Sequence, residues 1–328
     1  MILVTGGAGF IGSVLVAKLN ELGRDDIIIV DRFDHDQKWK NLKGVKYAEY
    51  FHADEFIDIQ LEEVHKQISC IYHMGACSST TEMDMDYLMT NNVGHSKFYF
   101  DLACDLNIPY IYASSAATYG DGELGYEDKE EELGKLRPLN PYGYSKQLFD
   151  EWVLNQTDRP KHWFGLKFFN VYGPNEYHKE EMRSLVHKAY EQINEVGKVK
   201  LFKSHKEGYE DGKQLRDFVY VKDVVNAMIE LSEKEMAKHS GIYNIGTGRA
   251  DSFLNLVNQT FIAMGREPNV EFIDMPMHLR NQYQYYTQAD MDKFRRILPN
   301  FEFRIVDDGV ADYVKNHLMK DNPYVERF

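Results

Sequence analysis

The stretch "NPYGYSK" at 140–146 holds two tyrosines, a serine and a lysine within seven positions. Tyr142 and Lys146 stand four apart, which on a helix puts them on one face, one turn from each other. A tyrosine is a poor base at neutral pH, because its ordinary pKa is about 10. Bringing it near 7 takes roughly 4 kcal/mol. A cation about 5 Å away, at an effective dielectric near 20, supplies roughly 3 kcal/mol. Lys146 therefore does most of the work, and a second positive charge beside the phenol must do the rest. The pair suits removal of a proton from a hydroxyl that is being oxidised. Such chemistry also needs a hydroxyl that hydrogen-bonds the reacting oxygen. "YIYASSAATYG" offers one at what reads as the end of a strand, where open α/β sheets bind ligands. Tyr144 falls out of phase with the Lys146 face, and Ser145 reads as a capping or packing residue.

The second charge has an obvious source. "VTGGAGFIGS" places Gly6, Gly9 and Gly12 as G-x-x-G-x-x-G between a first apolar run and a first helical stretch. Such a turn must be tight, must let backbone approach a phosphate, and must pack helix close to strand. Free N–H groups at the helix start then hold a pyrophosphate. The expected ligand is a nicotinamide dinucleotide, whose oxidised ring is positive. Asp31 closes the second apolar run, where a carboxylate meets the adenosine ribose and points to NAD. Arg32 and Lys38 lie beside it and suit a 2′-phosphate, which points to NADP. The residues alone leave the two open.

These groups must be positioned by strands and helices in alternation. The runs "MILVTG", "DIIIVD", "CIYHMG", "IPYIYASS", "FGLKFFNVYG" and "GIYNIGTG" do not alternate with polar residues. That suits parallel strands buried on both faces. Between them lie helical stretches such as "GSVLVAKLNELG", with Gly23 as a stop signal. The expected fold is α/β: a doubly wound parallel Rossmann sheet with a smaller, interleaved C-terminal substrate lobe. Residues 1–170 plus about 216–246 are expected to form the dinucleotide-binding domain. The substrate domain is expected from about 171–215 and 247–328. "RDFVYVKDVVNAMIELSEK" reads as a short strand feeding a helix.

The 328 residues are 43% hydrophobic with a formal net charge of -14. So acidic a chain is a poor partner for nucleic acid or an anionic membrane. Its three cysteines, Cys70, Cys77 and Cys104, form no Cys-x-x-Cys pair, so neither a disulfide framework nor a metal site is expected. No apolar run approaches the ~18 residues of a membrane helix, and the short start before the glycines is no signal peptide. A cytoplasmic location is expected.

Together "VTGGAGFIGS", "YASSAATYG", "NPYGYSK", "FFNVYGP", "RDFVYVKD" and "YNIGTG" resemble the extended short-chain dehydrogenase/reductases that act on nucleotide sugars. By position, Ser115 matches that family's catalytic serine, Tyr142 its base and Lys146 the partner lysine. Family dehydratases carry an acidic pair after the serine; here Ala116, Ala117 and Thr118 stand instead, so dehydration is not expected. Lys179, in "NVYGPNEYHKEE", is by itself either a loop lysine in solvent or a second acid/base. "HMGACSSTTEMD", "NPYGYSKQLFDE", "FFNVYGPNEYHK" and "YYTQADM" resemble more closely the epimerases that invert C6 of an ADP-linked heptose, for lipopolysaccharide precursors. That resemblance implies NADP, an ADP-sugar substrate, a homo-oligomer, and Lys179 as the second acid/base.

The resemblance also implies contacts. Phe10, Ile11, Asp31, Arg32 and Lys38 would face the adenosine end of the cofactor. Met74, Gly75, Ala76, Cys77, Ser78 and Asn91 would line its middle, and Val171 would sit near the nicotinamide. Tyr142, Lys146 and Lys179 would also touch the cofactor. Ser115, Asn170, Glu181, Lys188, Phe202, Lys203, Ser204, His205, Arg216 and Tyr283 would hold the nucleotide sugar. The chain departs from the pattern at Glu180-Glu181, where small residues and a serine are usual. It departs again at Met74, in "HMG" for "HEG", and at His52-Ala53, where a basic cofactor contact is expected.

Overall fold

The computed structural model describes residues 1–33, 37–58, 62–280 and 284–326. The apolar runs form a parallel sheet of seven strands. These are β1 (Ile2–Thr5), β2 (Ile27–Asp31), β3 (Glu49–His52), β4 (Cys70–His73), β5 (Tyr110–Ser115), β6 (Trp163–Phe168) and, later in the chain, β10 (Gly241–Ile245). Their spatial order is β3-β2-β1-β4-β5-β6-β10, the doubly wound arrangement expected. The order reverses between β1 and β4, and the crevice at that switch point is where such sheets bind ligands. β1, β2 and β6 are buried along their whole length, which is why they read as unbroken apolar runs.

Helices cover the sheet: α1 (Phe10–Glu21), α2 (His95–Leu106) and α3 (Pro141–Asn155), followed by α4 (Leu185–Val196) and α5 (Val221–Ser232). α1 ends as its sequence predicts, with Gly23 just past the cap at φ +81°.

Beyond β6 the chain weaves. β7 (Asn170–Tyr172), β9 (Leu215–Tyr220) and β11 (Ala250–Ser252) make a three-stranded sheet. β8 (Val199–Phe202) pairs in parallel with β12 (Val270–Ile273). Within 216–246, expected to return to the large sheet, α5 packs on α1 and β10 pairs with β6. β9 does not join them; it pairs with β7 and β11 instead. An apolar run gives the same signal whichever sheet receives it.

Candidate active site

The glycine turn leaves β1 at Thr5, opposite His73 of β4. Thr5 Oγ1 and His73 Nδ1 share a hydrogen bond of 2.7 Å, and the Gly75 amide donates to Thr5 Oγ1 at 3.0 Å. Gly6 takes φ +63°, and a Cβ there would lie 2.7 Å from Gly75 N. A Cβ on Gly12 would lie 2.1 Å from the Gly6 carbonyl oxygen. Turn, strand end and helix therefore interlock on bare backbone. Gly9 caps α1 without a side-chain bond, leaving first-turn amides, including those of Phe10 and Ile11, untouched by any side-chain cap.

Asp31 is buried at the end of β2. Its Oδ2 accepts from the Ala8 amide at 2.8 Å, and its Oδ1 accepts from the Arg32 amide at 2.7 Å and from Lys38 Nζ at 3.2 Å. Arg32 donates to Asn91 Oδ1 at 2.6 Å and pairs with Asp54. That hydrogen bond holds the Asp54 carboxyl below its usual range. A cavity of about 230 Å³ opens over these groups, lined by Gly6, Asp31, Arg32, Lys38, Gly75 and Asn91, with Ala76 and Cys77 beside them. Met74 is half-buried, its amide donating to the Thr5 carbonyl at 3.1 Å, while Ser78 is exposed. Val171 is half-buried on β7.

One residue that the sequence does not single out organises this wall. Asn92 is fully buried; its Oδ1 accepts from the Cys77 amide at 2.8 Å, and its Nδ2 donates to the Cys77 carbonyl at 2.9 Å and to Ser145 Oγ at 3.0 Å. It fastens the 74–78 segment to α3.

α3 begins where its sequence demands. Asn140 Oδ1 accepts from the Gly143 amide at 2.8 Å, and Pro141 occupies the first position. Tyr142 follows in the first turn. Gly143 brings the helix against the serine turn, since a Cβ there would lie 2.8 Å from the Ala117 carbonyl oxygen. Ser115 ends β5; its Oγ accepts from the Ala117 amide at 3.1 Å and hydrogen-bonds Tyr142. Lys146 is buried and donates to the Ala113 carbonyl at 2.9 Å. Burial brings its pKa down to about 8, with the Asp150 carboxylate opposing, so it stays largely cationic near pH 7.

The Tyr142 phenol shifts the other way. In the chain alone, burial pushes it above the ordinary value, and the Ser115 hydrogen bond only partly opposes this. Desolvation of a phenolate exceeds what the protein's own groups return. The positive charge required beside it has to be external.

A buried ion pair backs this face. Lys167 Nζ lies 2.6 Å from Asp150 Oδ2, both side chains being fully buried. Asp150 accepts from Tyr112 Oη at 3.0 Å and Ser114 Oγ at 2.6 Å. Lys167 donates to Thr118 Oγ1 at 2.8 Å, and Thr118 Oγ1 donates to the Ser115 carbonyl at 2.9 Å. Ser114, the neighbouring hydroxyl, is thus committed to the core.

Lys179 approaches from elsewhere. It lies in the turn Tyr177–Met182, with Glu180 at φ +46° beside it. Its ammonium sits 5.5 Å from the centre of the Phe10 ring, at the start of α1. Burial pushes its pKa down, and Glu176 pulls the other way. In the sheet β4 lies between β1, which feeds α1, and β5, which carries Ser115. Tyr142 and Lys179 therefore come from opposite flanks of the crevice.

The residues carried over for the sugar nucleotide are scattered more widely. Arg216 on β9 is buried, donates to the Leu215 carbonyl at 2.9 Å and to the Gln284 carbonyl, and lies 5.4 Å from the Phe253 ring centre. Gln284 in turn donates to the Gly120 carbonyl, bridging to the serine turn. Asn170 is exposed on β7, 3.5 Å from Thr287 Oγ1. At the end of β8, Phe202 is half-buried and Lys203 pairs with Asp274 at 3.2 Å. The Ser204 amide donates to Asp211 at 2.7 Å, and His205 Nε2 accepts from the Met275 amide at 3.3 Å. Glu181 turns to solvent, its side chain 95% exposed, and pairs with Lys188 at 3.2 Å. Tyr283 lies outside the described residues. Cys70, Cys77 and Cys104 are unpaired.

A glycine cradle at the switch point, with a Ser–Tyr–Lys set across it, defines a nicotinamide-dinucleotide enzyme. The sequence model of the NAD dependent epimerase/dehydratase family matches residues 2–246, and the chain belongs to that family. Among its relatives is the ADP-L-glycero-D-manno-heptose-6-epimerase of Fusobacterium nucleatum, 51% identical over 99% of this chain and 100% of the relative. The protein of that name from Nitratidesulfovibrio vulgaris is 48% identical over 99% of this chain and all of its own. Of solved structures, Helicobacter pylori ADP-L-glycero-D-manno-heptose-6-epimerase superposes with a TM-score of 0.79 at 31% identity, covering 96% of this chain and 95% of that one.

Proposed function

We propose that this enzyme inverts C6 of the heptose in ADP-glycero-manno-heptose, supplying precursors of the lipopolysaccharide inner core. What supports the reading is that Tyr142 lies beside Ser115 at the end of β5 while Lys179 lies over Phe10 at the start of α1, with β4 between the two strands. The relatives at 48–51% identity carry the substrate. The glycine turn, packed so tightly that Gly6 and Gly12 leave no room for a Cβ, and the cavity over it lined by Gly6, Asp31 and Gly75 fit a dinucleotide. Once bound, that group would take a hydride from the sugar and return it.

The chain's own residues do the rest. Ser115 holds the oxygen at C6. Tyr142 takes the hydroxyl proton of one epimer, with Lys146 keeping positive charge beneath it. Lys179 gives or takes the proton of the other epimer. Arg216 suits the diphosphate, because its planar fork bonds two oxygens. The remaining carried-over contacts follow from resemblance. Incubating purified enzyme with ADP-heptose and following configuration at C6 by NMR tests the whole reading; an unchanged substrate would sink it.

NADP is our choice of cofactor, on Arg32 and Lys38 beside the ribose-facing Asp31. Denaturing the purified enzyme should release NADP, identified by mass spectrometry; release of NAD alone would overturn the choice. We also place the enzyme in the cytoplasm as a homo-oligomer, on the resemblance; among the described residues no helix is long and apolar enough to cross a membrane.

Ser115→Ala should lower turnover by roughly 10²–10³ with the fold intact, since it removes one donor aimed at the reacting oxygen. Steady-state kinetics beside circular dichroism reads this out. Unchanged turnover would remove Ser115 from the site.

A further inference from the structure

The two acid/base side chains have separate anchors. Ser115 and Tyr142 are backed by Asp150 and Lys167, and none of those bonds reaches Lys179. A different buried cluster holds the Lys179 turn. Asn175, four residues earlier, is fully buried at φ +73°, in the left-handed region. Glycine would meet that backbone demand most cheaply. Asparagine does more. Its Nδ2 donates to Ser13 Oγ of α1 at 2.9 Å, and its Oδ1 accepts from the Val325 amide at 2.9 Å. Its carbonyl accepts from Asn41 Nδ2 at 3.1 Å, and Asn41 also donates to the Ala8 carbonyl, inside the glycine turn, at 2.9 Å.

Neighbouring bonds close the same turn. Glu176 is buried and accepts from the Ser184 amide at 2.6 Å and from Ser184 Oγ at 2.5 Å. The Lys179 amide donates to the Glu176 carbonyl at 3.0 Å. Tyr177 Oη donates to the Pro323 carbonyl at 2.9 Å. The turn is thus tied on one side to the dinucleotide cradle and on the other to residues 323–325.

We infer that Asn175 is a positioning residue for Lys179, fixing the lysine turn to the first turn of α1 through Ser13 and to the 323–325 segment through Val325. This rests on Lys179 being the second acid/base. Asn175 touches neither substrate nor cofactor; it sets where the lysine stands. Because Tyr142 is anchored elsewhere, loosening Asn175 acts on one half of the reaction only.

The test is single-turnover cofactor reduction by the holoenzyme, run with each C6 epimer separately. Asn175→Gly keeps the left-handed backbone and deletes both side-chain bonds. It should slow the half-reaction that Lys179→Met also loses by roughly 10–10²-fold, the cost of a misplaced group. The other half-reaction should stay within about twofold. Tyr177→Phe, which leaves the Asn175 side chain in place and removes the bonds of the phenolic hydroxyl, to Pro323, Tyr313 and the Asn175 backbone, should slow the same epimer by a smaller factor, and it stands in should Asn175→Gly fail to fold. Equal slowing of both epimers, or of neither, with Lys179→Met still selective, overturns the positioning role. A Lys179→Met enzyme that treats both epimers alike overturns the two-base reading itself, and this inference with it.

Discussion

Tyr142→Phe and Lys179→Met should each abolish full epimerisation, yet each should keep redox chemistry with one epimer, and the surviving epimer should differ between them. Inversion requires hydride to leave and return on opposite faces of C6. On the two-base reading the hydroxyl then lies on opposite sides of the crevice in the two epimers. Tyr142 stands on the β5 flank and Lys179 over α1, with β4 between the strands that feed them. One side chain does not reach both positions without reorienting the sugar. Loss of a positioned acid/base costs roughly 10²–10⁴-fold in its own half-reaction. Lys179 must be neutral to act as a base, and burial already pushes its pKa below the ordinary value. Tyr142 begins from the other side, its phenol raised by burial. Single-turnover nicotinamide absorbance with each epimer decides the matter. A Lys179→Met enzyme that epimerises near the wild-type rate would leave Tyr142 acting alone on a rotating intermediate.

Lys167→Met should destabilise the fold by about 3–5 kcal/mol, the cost of breaking one side of a fully buried ion pair. Asp150 would be left without its ion-pair partner, in a place where water does not reach. Thr118 would lose its donor, and its own bond to the Ser115 carbonyl would loosen. Replacing both charged partners by apolar residues brings no full recovery here. Tyr112 and Ser114 both donate to Asp150, and they would then be stranded. Denaturant midpoints measure the loss; a change below about 1 kcal/mol would show that the pair contributes little. In whatever variant still folds, turnover should fall further than population of the folded state explains, because Ser115 is held from behind by this network.

Much of this was legible in the residues. β1, β2 and β6 are buried on both faces, so each is an unbroken apolar run. The four-residue spacing of Tyr142 and Lys146 puts both on one face of α3. β3 was not legible: it is an edge strand, and "EYFH" is half-exposed and mixed in polarity. The destination of β9 was not legible either, because pairing partners are chosen by tertiary packing. Asn92 and Asn175 carry no signal of their own. An asparagine is equally at home in a turn or on a surface, and the partner of Asn175, Ser13, lies 162 residues away. The upward shift of the Tyr142 phenol was hidden because desolvation depends on what covers a group, not on what is four residues along.

The weaving of the chain bears on how the molecule is made. β6, buried over all six of its residues, pairs on one side with β5 and on the other with β10. A ribosome delivers β5 and β6 together, but Gly241–Ile245 come much later. At ordinary synthesis rates the interval is on the order of ten seconds. Throughout it, the half-made sheet ends in an apolar strand with one open edge, the kind of template that captures strands from other chains. The β6 edge thus stays open after the dinucleotide cradle, serine strand and Tyr–Lys helix have been made, and it closes only when β10 arrives.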